Sequence, residues 1–152
     1  MTDHTHPPES PADVTPESPY TLPGFFAALA DGDLLGVRCL DCGTSLVPPR
    51  PACYACGSRD VRIEAQPRTG TVVSYTEVRR PVPALAEDAP YTVAVVELDS
   101  GARLTGRLDL AYEDTGIGLP VRLTVREPTA GQRAIARDHE ADWPSHVFEA
   151  VE

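Results

Sequence analysis

Cys39-Leu40-Asp41-Cys42-Gly43 is followed, after Thr44 to Ala52, by Cys53-Tyr54-Ala55-Cys56-Gly57. Two intervening residues let both thiolates of a pair reach one ion from a single tight turn, and two such turns supply four tetrahedral ligands. The glycine after each pair fits this geometry, because a knuckle reverses just past its second ligand and glycine adopts positive φ at little cost. Nothing else in the chain offers a metal four soft ligands, so zinc is the favoured ion, with iron the chemical alternative. Two disulfides would need an oxidising compartment and would leave the paired spacing unexplained. A redox Cys-x-x-Cys occurs once and opens a helix, whereas Pro48, Pro49 and Pro51 crowd the space between these pairs. A closed four-cysteine site keeps no position for water or substrate, so its expected role is structural. Metal binding of about 10 to 16 kcal/mol then becomes folding energy for a piece too small to make its own core.

The 152 residues suit a small metal module joined to a compact domain of about 100 residues. No run of about 18 apolar residues occurs, and the N-terminus is acidic and proline-rich. The expectation is a soluble, cytoplasmic protein with no membrane span and no secretory signal. The formal charge of −10 is uneven. Residues 1–22 hold four acids and no arginine, and 127–152 hold six acids against Arg133 and Arg137. The body, 23–126, is close to neutral, with thirteen acids against eleven arginines, which argues against a phosphate-binding surface for nucleic acid. The chain has no lysine, so Schiff-base chemistry and a P-loop lysine are excluded.

Outward from the knuckles, residues 1–22 carry five prolines among polar residues and read as a disordered tail in which His4 and His6 need no role. Residues 23–65 form the ribbon module. Phe25, Phe26, Leu29 and Ala30 recur at helical spacing before Gly32, which predicts a short helix over Pro23 to Asp31. Its apolar stripe packs internally or, with two adjacent phenylalanines, offers Phe25, Phe26 and Leu29 to a partner. Leu34 to Arg38 and Val61 to Ala65 read as strands entering and leaving the ribbon.

Past residue 66 the period becomes two. Strands are predicted over Thr71 to Val78, Tyr91 to Leu98, Arg103 to Leu108 and Val121 to Arg126, with Asp99-Ser100-Gly101 as a turn. Four or five short, mostly antiparallel strands with no useful helix between them must pair with a second sheet or curl closed, and a five-stranded OB-fold barrel is the economical answer. The chain is thus expected to be mainly β, with a short helix and four-cysteine ribbon ahead of a barrel over 66–127. Residues 128–152 read as an acidic extension in which Val147 to Val151 could supply a closing strand.

Catalytic groups are scarce. No spare cysteine and no Gly-x-Ser-x-Gly elbow are present, and the histidines outside the tail are His139 and His146, in a charged C-terminal stretch, with His146 after Trp143-Pro144 read as a surface residue or, alternatively, as lining a pocket. Glu87 with Asp88, and Glu113 with Asp114, read as solvated pairs in turns. Arg79 and Arg80 at the mouth of a barrel either lie in a solvated loop or grip phosphates such as those of coenzyme A.

The helix with Phe25-Phe26, the paired knuckles with Pro48-Pro49-Arg50-Pro51, then Gly70-Thr71-Val72, Pro90-Tyr91, Glu97-Leu98 and Gly118-Leu119-Pro120-Val121 together resemble one family over residues 23–127. It is the rubredoxin-like zinc ribbon plus OB-fold family catalogued as domain of unknown function 35. The resemblance implies a non-catalytic accessory subunit that assembles with a thiolase-fold acyltransferase or lyase, with acyl-CoA at the shared interface. It carries over Cys39, Cys42, Cys53 and Cys56 as ligands of a structural Zn(2+), and no catalytic residue. A single-stranded nucleic-acid binder and a stand-alone acyl-CoA-binding protein are the alternatives. The first needs stacking platforms and a positive groove, and only Tyr75, Tyr91 and Tyr112 lie near the barrel.

Overall fold

The computed structural model describes residues 18–151. It divides into a ribbon unit, reaching Pro67 and including Ser100–Arg103, and a barrel unit of Arg68–Asp99 and the residues from Leu104 onward.

The ribbon unit starts earlier than its composition implies. Residues 1–17 lie outside the described part, so the tail expectation is untested there, but Ser18 to Leu22 are ordered, against that expectation. The cause is local hydrogen bonding: the Ser18 carbonyl accepts from Thr21 Oγ1 at 2.7 Å and from the Thr21 amide at 2.9 Å. Thr21 in turn caps helix α1 (Leu22–Ala30), accepting from the Gly24 amide at 3.2 Å. The helix runs one residue earlier than predicted at each end. Strands β1 (Leu35–Cys39), β2 (Ser45–Leu46) and β3 (Val61–Ala65) form an antiparallel sheet with β1 central. Val37, Cys39, Leu46, Cys53 and Val61 make its small core, with Tyr20 and Ile63 packed against it. Two of those five are metal-ligand candidates, which is how so small a unit holds together.

In the barrel unit, β4 (Thr69–Val78), β5 (Tyr91–Leu98), β6 (Arg103–Leu108), β7 (Pro120–Arg126) and β8 (Ser145–Ala150) close in the order β4-β5-β6-β8-β7. β4 is long enough to pair with both β5 and β7, and a bulge between Val72 and Ser74 bends it to do so. β5 alternates as the period-two pattern requires, with Thr92, Ala94, Val96 and Leu98 buried. Val72, Leu108, Val121, Leu123 and Phe148 complete the core.

The barrel boundary expected at residue 127 falls too early. β8 pairs antiparallel with β7 and parallel with β6, so a strand from the acidic extension is the one that closes the barrel. Its buried residues, Val147 and Phe148, lie in the Val147 to Val151 stretch read as a possible closing strand, and the strand itself starts two residues earlier, at Ser145. Between β7 and β8 the chain also forms a helix not anticipated from the sequence, α2 (Ala130–Ile135). Thr129 accepts from the Gln132 amide at 3.1 Å and Gln132 Oε1 accepts from the Thr129 amide at 2.8 Å, a capping box with glutamine in the third position.

Candidate metal centre and barrel cavity

The four Sγ atoms of Cys39, Cys42, Cys53 and Cys56 all lie within 4.8 Å of one another. Cys39 to Cys56 and Cys42 to Cys53 are each 3.6 Å. A tetrahedral zinc with bonds of about 2.3 Å sets its sulfurs about 3.8 Å apart, so the side chains are placed for one ion. The two knuckles are built alike. The Gly43 amide donates to the Cys39 carbonyl at 2.9 Å and the Gly57 amide to the Cys53 carbonyl at 2.8 Å. Gly43 and Gly57 have φ of 79° and 78°, the conformation for which glycine is suited. The first cysteine of each pair is buried and the second exposed.

The two exposed thiols are shifted in opposite directions. The Thr44 hydroxyl, 3.1 Å from Cys42 Sγ, and the Thr44 backbone lower that thiol to about 6. At Cys56 the Ser58 amide favours the thiolate, but the neighbouring sulfurs, led by Cys39, and desolvation outweigh it and push the thiol up to about 12. Thiolates this close are stable together only around a cation, and an all-sulfur tetrahedral donor set suits zinc.

The predicted partner residues divide by burial. Phe25 and Leu29 are buried, at 3% and 1% exposure, whereas Phe26 is half-buried with its ring edge-to-face on Phe25 at 5.2 Å. Among the described residues, the large exposed apolar side chains of this unit are instead Leu22 and the knuckle-tip residues Leu40 and Tyr54.

On the barrel, a cavity of about 520 Å³ opens beside the β4–β5 loop. Arg79 and Arg80 do not line it; both are exposed, and Arg79 is paired with Glu77. Its arginines are Arg107 and Arg126. Arg107 lies over the Tyr91 ring at 4.0 Å and donates to Asp88 Oδ2 at 3.0 Å. Arg126 is held by Asp109 at 3.0 Å and by Glu149. Asp88, read from the sequence as solvated, is therefore an ion-pair partner whose side chain is 16% exposed. Thr129 Oγ1 also donates to Asp88 Oδ2, at 2.7 Å, and with Arg107 this lowers the carboxyl below its usual range. The signal missed in the sequence is that Asp88, Arg107 and Thr129 lie on three separate segments that only the closed barrel brings together. His146 is structural too: its Nε2 is 2.7 Å from the Thr105 carbonyl, and its ring lies where a Cβ on residue 106 would stand, which Gly106 leaves clear.

Two family profiles match in sequence order: the ChsH2 rubredoxin-like zinc ribbon domain over residues 26–62 and the ChsH2 C-terminal OB-fold domain over residues 64–126. A DUF35 domain-containing scaffold protein of Methanocaldococcus jannaschii is 35% identical over 98 residues, covering 61% of this chain and 67% of the relative. The chain belongs to the DUF35 family. A solved DUF35 chain of an Ltp2–ChsH2 aldolase is 33% identical, with a TM-score of 0.63 over 84% of this chain and 91% of that one. A probable enoyl-CoA hydratase alpha subunit of Thermomonospora curvata is 40% identical over 100 residues, but those cover only 31% of that relative. Among the described residues no helix is long and apolar enough to cross a membrane.

Proposed function

We propose that this DUF35 protein is a non-catalytic, zinc-containing accessory subunit that assembles with a thiolase-fold acyltransferase or lyase and supports its acyl-CoA chemistry. The observation that carries this reading is the four-cysteine centre. One structural ion takes every thiol in the chain, including any that acyl transfer through a thioester would use, so the nucleophile belongs to another protein. Similarity to the DUF35 chain of the Ltp2–ChsH2 aldolase supports the class of partner.

On α1 the partner meets Leu22 and the half-buried Phe26, with Phe25 and Leu29 holding the helix from beneath, and on the knuckles it meets Leu40 and Tyr54. A coenzyme A phosphate at the β4–β5 loop is bound first by Arg80, because Arg79 is tied to Glu77 until that pair opens. The nucleic-acid reading draws no support from the barrel cavity, whose arginines already hold carboxylates.

Co-expression with a thiolase-fold protein from the same host tests the reading. The two are expected to elute together from a sizing column, with turnover that neither shows alone. Separate elution with a fully active partner overturns it.

A further inference from the structure

The barrel cavity has a charge balance that sets it apart from a phosphate site. Its lining carries five carboxylates, Glu77, Asp88, Asp109, Glu113 and Glu127, against two guanidiniums, Arg107 and Arg126. Each guanidinium is already bonded to at least one carboxylate, so none is left over for an anion. The walls between the charges are apolar and aromatic. Leu108, Leu110 and Val147 line the space, and Tyr91 and Tyr112 present rings to it. Tyr112 is 40% exposed and braced by Tyr75, the two ring centres lying 5.3 Å apart.

The cavity also shows how it holds a cation. At one side a guanidinium rests on the Tyr91 face with the Asp88 carboxylate at its edge. Tyr112 and the exposed carboxylates of Glu113 and Glu127 line the same space. We infer that this cavity is a binding site for a cationic group on an aliphatic stem, a guanidinium or ammonium that lays its stem on Leu108, Leu110 and Val147 and its charge between Tyr112, Glu113 and Glu127. Its volume of about 520 Å³ accommodates such a group. The site faces the barrel unit alone and does not require the thiolase-fold partner.

Isothermal titration of the full zinc-loaded chain tests this with three probes: agmatine, the capped peptide acetyl-Leu-Arg-Leu-amide and adenosine 3′,5′-bisphosphate. Agmatine is expected to bind saturably, and Glu113→Gln with Glu127→Gln to weaken it at least tenfold. Asp33→Asn with Glu64→Gln, exposed acids of the ribbon unit, should leave it unchanged. Tighter binding of the peptide than of agmatine assigns the cation to a polypeptide side chain, and equal or weaker binding assigns it to a free small molecule. The inference is overturned if the bisphosphate binds and agmatine does not, or if both double variants weaken agmatine equally, the mark of a general attraction to an acidic protein.

Discussion

Thr129 Oγ1 donates to Asp88 Oδ2 across 2.7 Å, joining segments 41 residues apart in sequence. The same oxygen takes Arg107 Nη1 at 3.0 Å, so one carboxylate ties the β4–β5 loop to β6 and to the start of α2. Removing the carboxylate leaves a guanidinium whose side chain is only 20% exposed without its partner. Asp88→Ala should therefore cost about 1 to 3 kcal/mol of barrel stability, and Thr129→Ala about 1 kcal/mol, in urea unfolding followed through Trp143. Equal, negligible losses for both would mean the clasp is a solvated contact.

The pH dependence follows from the same bond. Asp88 is held below its usual range, first by Thr129 and then by Arg107, so the folded pKa lies below the unfolded one. Its contribution is present above about pH 4 and is lost as pH falls through the folded value. Asp88→Asn should lower the Trp143 transition most at neutral pH and flatten its acid limb, so that variant and parent converge as the pH falls below about 4. An unchanged acid limb contradicts the assignment.

β8 is the strand that residues 128–152 supply to close the barrel. Phe148 is fully buried, and its neighbours in register are Leu108 and Leu123. Phe148→Ala should cost about 3 to 5 kcal/mol, close to the whole stability of a small domain. A chain ending at Glu127 should accordingly fail to give a cooperative barrel transition. A stable truncated barrel would show that β8 is dispensable.

Much of this architecture is legible in the residues themselves. The knuckle spacing and the β-branched run in Tyr91 to Leu98 each encode local geometry, and the fold follows them closely. Capping was harder to see. Ser18 and Thr21 order the end of a proline-rich tail, and Thr129 with Gln132 starts a helix of six residues, both through side-chain to backbone bonds that leave no hydrophobic period. The cavity was illegible for another reason: Asp88, Arg107 and Arg126 look like solvated charges one at a time, and their pairing exists only after the barrel closes.

Metal removal separates the two units. Chelation should release one zinc per chain and unfold β1 to β3, read as lost amide protection over 35–65, while protection in Tyr91–Leu98 persists. Concerted loss of protection in both would show that the barrel depends on the metal as well.

The central claim is that the ribbon is architectural and the chemistry belongs to a partner. It is tested most directly by Cys42→Ser in the co-expressed assembly, with zinc content, complex mass and turnover measured on one preparation. The account predicts that zinc and ribbon integrity are lost first and that turnover falls only in proportion to the complex that dissociates. An intact complex whose turnover alone collapses would contradict it.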